Sequence, residues 1–409
     1  MIKKPAGKYT GNELRYVKTV LQSSLRSATG GSWNKRLEAA FARRFKSKYA
    51  IAHNSGTSAL HSCLKAAGVK PGDEVISPAL TVIMNTFTTL YMNAIPVYAD
   101  IDPETFTIDP KDLERKITKR TKAIMVVALY GLPADMDPIM RIARKHKLTV
   151  IEDNAQCFLS TYKGKLAGTI GDMAMFSFEN SKHISVGEGG IVTTNNKKMA
   201  ENIRKFGGIG YKNLRAEEGR VKLNEGTFQD PNYKRHDTLG YNYRLTEVCA
   251  AMGLAQLERL DELVSRRRKM AKFYDEAIEG CPWLIPQKTP QGYTNSYFTY
   301  AVRYDGEKAT GVSWKEFYGL YKKSGGDGFY AAWSIPYLEP VIADRNFEWK
   351  KNYKKSEITY RKGLCPVAEK IQPKLMQFKT NYRDLNLAKK KASALRKTIE
   401  LVEKRSLLK

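Results

Sequence analysis

From residue 48 onward, short apolar and β-branched runs alternate with stretches of helical periodicity. Lys48-Tyr-Ala-Ile-Ala-His-Asn54 reads as a strand and is followed by a helix over 58–67. Then come Glu74-Val-Ile-Ser77, a helix over 81–92, and Ile95-Pro-Val-Tyr-Ala-Asp100. Lys122-Ala-Ile-Met-Val-Val-Ala128 precedes a helix around 138–147 and the run Leu148-Thr-Val-Ile-Glu-Asp153. Met173-Ala-Met-Phe-Ser-Phe178 and Gly190-Ile-Val-Thr-Thr-Asn195 add two strands. Near-continuous apolar strands alternating with helices predict an α/β fold whose mainly parallel sheet is covered on both faces. Residues 205–240, rich in Gly, Asn, Lys and Asp, predict a long surface excursion.

The pattern changes after about residue 260. A helical stretch over 247–279, with Leu254, Leu257, Leu260 and Val264 at helical spacing, leads out of the first region. It carries the basic cluster Arg266-Arg-Arg-Lys269, expected to be a solvated face. Ser296-Tyr-Phe-Thr-Tyr-Ala-Val-Arg303 suits a strand. Residues 385–404 suit an amphipathic helix with Ala388, Ala392, Leu395, Ile399 and Val402 on one face. Residues 1–260 are therefore expected to form a large domain and 261–409 a smaller α+β domain. The 409-residue length supports two domains.

Composition narrows the class. Five cysteines stand far apart with no C-x-x-C pair, which predicts reduced thiols in a cytoplasmic protein and no metal site. The basic N-terminus is not followed by an apolar stretch, so no secretory signal is read there. The 25 uncharged residues between Glu74 and Asp100 are long enough to span a membrane. They contain Pro78, Pro96, Asn85 and Asn93, and a buried α/β segment is the expectation instead. The formal net charge of +27 suggests an anionic partner. No zinc-finger or RNA-recognition spacing accompanies it, so specific nucleic-acid binding is not expected. Residues 1–50 hold 12 basic and 2 acidic side chains, and residues 351–409 hold 17 and 5. The excess therefore lies at the two ends, as solvated faces that border at most the mouth of a site.

Three elements can carry chemistry. Asn54-Ser-Gly-Thr-Ser-Ala-Leu-His61 follows a strand and opens a helix, so it is either a phosphate cradle or an ordinary helix cap. Asp153 ends an apolar strand, where ligands sit in open α/β sheets, so it is either a buried acid that implies a cationic partner or a cap on the next helix. Lys182 lies just beyond Phe176-Ser-Phe178 and before the turn Gly187-Glu-Gly-Gly190, and a desolvated lysine can react through its neutral amine. Taken together, cradle, acid and amine are what pyridoxal phosphate requires.

Ser-Gly-Thr-Ser-Ala-Leu-His61, Glu152-Asp-Asn-Ala-Gln156, Phe176-Ser-Phe-x-x-x-Lys182, Gly187-Glu-Gly-Gly190 and Gly240-Tyr-Asn-Tyr-Arg-Leu-Thr-Glu247 occur in an order that resembles the DegT/StrS-type sugar aminotransferases. This is a fold-type-I, pyridoxal-phosphate-dependent family, and the likeness runs from about Gly30 to about Arg268. It implies a seven-stranded large-domain sheet and a homodimer with shared active sites. It also implies a keto-sugar substrate, anionic if nucleotide-linked, and glutamate or glutamine as amino donor, with pyridoxamine phosphate formed in turn. By that resemblance Lys182 would bond to the cofactor and move the proton, and Asp153 would keep the pyridine nitrogen protonated. Gln156 would lie against the ring. Gly56, Thr57, Ser58 and Ser177 would hold the phosphate, and Asn242 would reach the cofactor of the neighbouring subunit. Arg244 and Glu188 are further substrate-side candidates. Tyr330 and Trp333 are either site aromatics or simple packing, with packing the expectation. The sequence departs from the family pattern at Val82, where a stacking aromatic is usual, and at Ala128, where His is common. A sugar dehydratase of the same family would carry His in place of Lys182 and is disfavoured, while a keto-cyclitol substrate is not separated from a nucleotide sugar.

Overall fold

The computed structural model describes residues 9–23, 32–219, 223–346, 359–382 and 384–407. Seven strands build the main sheet: β1 Tyr49–His53, β2 Glu74–Pro78, β3 Ile95–Ala99, β4 Thr121–Val127, β5 Thr149–Asp153, β6 Met173–Ser177 and β7 Gly190–Thr194. Their spatial order is β1-β7-β6-β5-β4-β2-β3. The pairs β2–β3, β2–β4, β4–β5 and β5–β6 are parallel, while β7 runs antiparallel to both β1 and β6. The mainly parallel sheet is therefore present. Its one reversal follows from the connection between β6 and β7, which holds no helix to carry the chain back across a face.

Alternation within the strands divides the sheet's two faces. On β4, Ala123 and Met125 join a core with Leu60, Leu64 and Met175, whereas Ile124 and Val126 join another with Ile139 and Val97. The first core is closed by helix α1, Gly56–Ala66, and the second by α3, Met136–His146, with α2, Met84–Tyr91, between β2 and β3. The uncharged stretch after Glu74 is therefore β2, α2 and β3. No described helix is long and apolar enough to cross a membrane.

The single helix expected over 247–279 is two, α4 Glu247–Glu258 and α5 Leu260–Ile278. At Arg259 the backbone leaves helical geometry (φ −106°, ψ 8°). A second helix then starts with Asp261 and Glu262 in its first turn, where acidic groups face the positive end of the dipole.

Helix α5 packs on an antiparallel sheet of β8 Leu284–Pro286, β9 Thr299–Tyr304, β10 Tyr330–Ala331 and β11 Leu375–Lys379, in the order β8-β9-β11-β10. Helix α6, Leu385–Leu407, completes that core. Its five expected apolar positions, Ala388, Ala392, Leu395, Ile399 and Val402, are all buried. Part of the C-terminal region returns to the main sheet, where the Tyr360 hydroxyl donates to the Pro96 carbonyl at the β3 edge (2.8 Å).

Candidate active site

Adjacent residues at the end of β5 face opposite ways and meet different partners. The Glu152 carboxylate accepts the amides of Gly168, Ile170 and Gly171 (2.7, 2.7 and 2.6 Å), which fixes a loop. Asp153 is buried and accepts one bond from the Ala155 amide (3.0 Å) and one from the Asn85 side chain (3.1 Å). Burial raises its carboxyl above the usual range, while those two bonds and the charge of Lys182 act the other way. Asn85 is oriented by Thr81, whose hydroxyl donates to its amide oxygen (3.0 Å) and leaves the amide nitrogen for Asp153. Sequence reasoning missed Asn85 as a site residue. The available signal was an asparagine on a buried helix in a run without charge.

Lys182 sits in the connection between β6 and β7, with its amide donating to the Glu179 carbonyl (3.0 Å). Its amine lies 4.5 Å from the centre of the Phe298 ring. Burial lowers the amine below the usual lysine value. Glu179, Asp153 and Glu188 raise it, and Arg267 lowers it further.

That last group corrects the expectation of a solvated face at residues 266–269. Arg267 is buried, and its guanidinium donates to the carbonyls of Ser181 (2.7 Å), Lys182 (3.0 Å) and Phe298 (2.6 Å) and to the Thr380 hydroxyl (3.2 Å). Arg268, half-buried, donates to the Asn295 and Leu159 carbonyls (both 2.9 Å). Arg267 and Arg268 turn inward to loop carbonyls that their long stems reach, while Arg266 pairs with Glu262 (3.8 Å) and Lys269 stays exposed.

The Ser-Gly-Thr-Ser turn caps α1. The Ser55 hydroxyl accepts the Ser58 amide (3.0 Å) and the Ser58 hydroxyl accepts the Ser55 amide (3.2 Å), so Ser58 is committed to the cap. Gly56 and Thr57 supply the first amides of the helix. A Cβ on Gly56 would lie 3.1 Å from that of Ser177, so glycine lets the end of β6 close against the turn. The positive end of α1 and the Ser177 hydroxyl thus face one another.

The other candidates divide. The Gln156 side chain accepts the Tyr130 amide (2.9 Å) and holds that residue at φ 59°, the left-handed region. Asn242 is exposed, and its carbonyl accepts from Asn54 (3.3 Å) at the rim of the Ser-Gly-Thr-Ser turn. Glu188 is exposed in the glycine turn. Arg244 lines a separate cavity of about 250 Å³ with Glu38, His53 and Arg204. Tyr330 and Trp333 are 58% and 59% exposed, which corrects the packing expectation: Tyr330 lies on a two-residue edge strand, where the Lys379 amine stands 5.7 Å from its ring centre, and Trp333 follows that strand. Val82 is half-buried in the turn before α2. Among the described residues no His, Cys, Asp and Glu group is arranged to hold a metal ion.

This donor set fits pyridoxal phosphate. A glycine-opened helix N-terminus suits the phosphate, a buried carboxylate suits the pyridine nitrogen, and a desolvated amine suits the aldehyde. Residues 8–374 match the DegT/DnrJ/EryC1/StrS aminotransferase family. The chain is 43% identical over 274 residues to a GDP-perosamine synthase of Caulobacter vibrioides, covering 67% of this chain and 69% of that protein. An aminotransferase structure from Psychrobacter cryohalolentis superposes with a TM-score of 0.85 at 27% identity, covering 98% and 99% of the two chains. The structure of S. venezuelae DesV in complex with a ketimine intermediate gives 0.80 at 28% identity, covering 95% and 94%. The chain therefore belongs to the DegT/DnrJ/EryC1/StrS family and is a pyridoxal-phosphate-dependent aminotransferase.

Proposed function

We propose that this aminotransferase moves the amino group of glutamate or glutamine to the keto carbon of a nucleotide-linked sugar, giving an amino sugar and the keto acid of the donor. The observation that carries the reading is Lys182, a desolvated amine electrostatically coupled to buried Asp153, in the connection that follows Ser177, which closes against the N-terminal turn of α1 at Gly56. The relative named GDP-perosamine synthase supports a sugar nucleotide as acceptor.

When bound, pyridoxal phosphate supplies the electron sink that lets a carbon-bound proton move. The residues have separate tasks. The amides of Gly56 and Thr57, the capped turn at Ser58 and the Ser177 hydroxyl hold the phosphate. Asp153, kept in place by Asn85 and Ala155, holds a proton on the pyridine nitrogen. Lys182 takes and returns the proton that moves between donor or acceptor carbon and cofactor, because its lowered basicity leaves more of it neutral near pH 7. Gln156 sets the Tyr130 backbone that borders the site. Asn242, with Arg244 a candidate for the same region, serves the neighbouring subunit's site in a homodimer, and Glu188, Tyr330 and Trp333 are candidates for the sugar nucleotide.

Purified protein incubated with glutamate or glutamine and a panel of keto-sugar nucleotides and keto-cyclitols should give an amine product from a sugar nucleotide, identified by mass. Loss of water without amine transfer, or amination of cyclitols alone, would overturn the substrate assignment.

A further inference from the structure

We propose that Arg267 is a positioning residue for amino transfer: its guanidinium clamps the backbone of Lys182 to that of Phe298, so that the lysine amine is presented over the Phe298 ring. The inference rests on the reading of Lys182 as the reacting amine.

The contacts form one continuous path. Gln156 accepts the Tyr130 amide (2.9 Å), the Tyr130 carbonyl accepts the Phe298 amide (2.8 Å), and the Phe298 carbonyl accepts from Arg267 Nη1 (2.6 Å). Arg267 Nη2 then donates to the Lys182 carbonyl (3.0 Å) and that of Ser181 (2.7 Å). Two candidate cofactor residues far apart in sequence, Gln156 and Lys182, are thereby held in register through one side chain. Thr380 extends the clamp, accepting from Arg267 (3.2 Å) and donating to the Tyr297 and Phe298 carbonyls (2.7 and 2.9 Å).

Arginine is needed here for its shape. Two amino groups on a planar fork serve four acceptors on three chain segments, which a lysine ammonium cannot do from one point. Among the described residues no carboxylate lies within ion-pair distance of Arg267, so burying its charge is costly for a merely structural donor. That charge acts on Lys182. The charged and titratable groups acting on the amine are Glu179, Asp153 and Glu188, which favour its protonated form, and Arg267, which opposes it. His183, next in sequence, is held neutral by burial and donates from Nε2 to the Ser296 carbonyl (2.9 Å).

Arg267→Lys and Arg267→Gln separate fork from charge. Two readouts apply to the full chain: steady-state amino transfer, and peptide-resolved labelling of Lys182 against pH in protein freed of cofactor, with exposed Lys389 and Lys390 as internal references. The Lys variant should lower kcat about 10-fold or more, with KM for the amino donor within about threefold. The Gln variant should lower kcat at least as much and raise the Lys182 labelling midpoint toward the reference lysines by about half a pH unit or more. Wild-type kcat and an unmoved midpoint in both variants would overturn the proposal. So would a loss of melting temperature with both readouts unchanged, or failure of both variants to fold, since Arg267 would then be structural only. Wild-type protein that takes up no pyridoxal phosphate on Lys182 would instead count against the reading of the site.

Discussion

The placement of Asp153 at a strand end and of Lys182 ahead of a glycine turn was legible because both are local features of the sequence. What surrounds them was not, since Asn85, Arg267 and Phe298 arrive from distant segments and reveal themselves only through the groups they satisfy. Arg267 in particular sat in a charge run whose ordinary expectation is solvent. Asp153→Asn tests the acid's role: the carboxamide preserves the bulk beside Asn85 but cannot hold the pyridinium charge. Turnover with glutamate should fall about 100-fold or more while the fold is retained, as steady-state kinetics and circular dichroism would show. Unchanged turnover would remove Asp153 from the mechanism.

His53 sets a pH dependence at the same scale. It is buried, bonded to the Ile51 carbonyl (3.0 Å) and to Ser62 (2.8 Å), and burial pulls it to about 4. In the unfolded chain it protonates near the ordinary value, so between about pH 6.5 and 4 the unfolded state binds the extra proton and stability falls as pH falls. Buried Asp153 and Glu152 shift the opposite way and offset part of this in the whole protein. The comparison is therefore with His53→Gln. Between pH 7 and 5 the wild type should lose about 1–2 kcal/mol more than the variant, measured by urea unfolding. Equal losses would show that His53 does not remain neutral when folded.

At the scale of elements, runs such as Leu148–Asp153 and the stripe of α6 were readable because period 2 and period 3.6 record which face is buried. The antiparallel course of β7 and the break at Arg259 were not, because they depend on a connection's geometry and on side chains from elsewhere, such as Glu262 and Glu13 beside Arg259. Helix α6 offers a test with two sides. Ile399 is fully buried, and Ile399→Ala should cost about 2–4 kcal/mol in chemical unfolding. Lys389 and Lys390 are exposed, and the Lys391 amine donates to the Gly325 carbonyl (2.9 Å). Neutralising the three should leave turnover nearly intact; a large loss would place the basic tail in the site.

For the whole molecule, the α/β architecture and the family were legible, while the net charge of +27 pointed no further than an anionic partner. The exposed Leu239 and Tyr241, next to Asn242, suit contact with a second copy. If Asn242 serves the neighbouring subunit, Lys182→Ala and Asn242→Ala proteins, each inactive alone, should regain roughly a quarter of wild-type activity after subunit exchange, because half of each hybrid dimer's sites carry neither change. No recovery would place Asn242 outside a shared site.

The central claim is that Lys182 is the amine through which the cofactor is held. Fresh wild-type protein should show a visible absorbance that borohydride abolishes, with the reduced cofactor recovered on the peptide containing Lys182. The label on another lysine, or no uptake of pyridoxal phosphate, would contradict it.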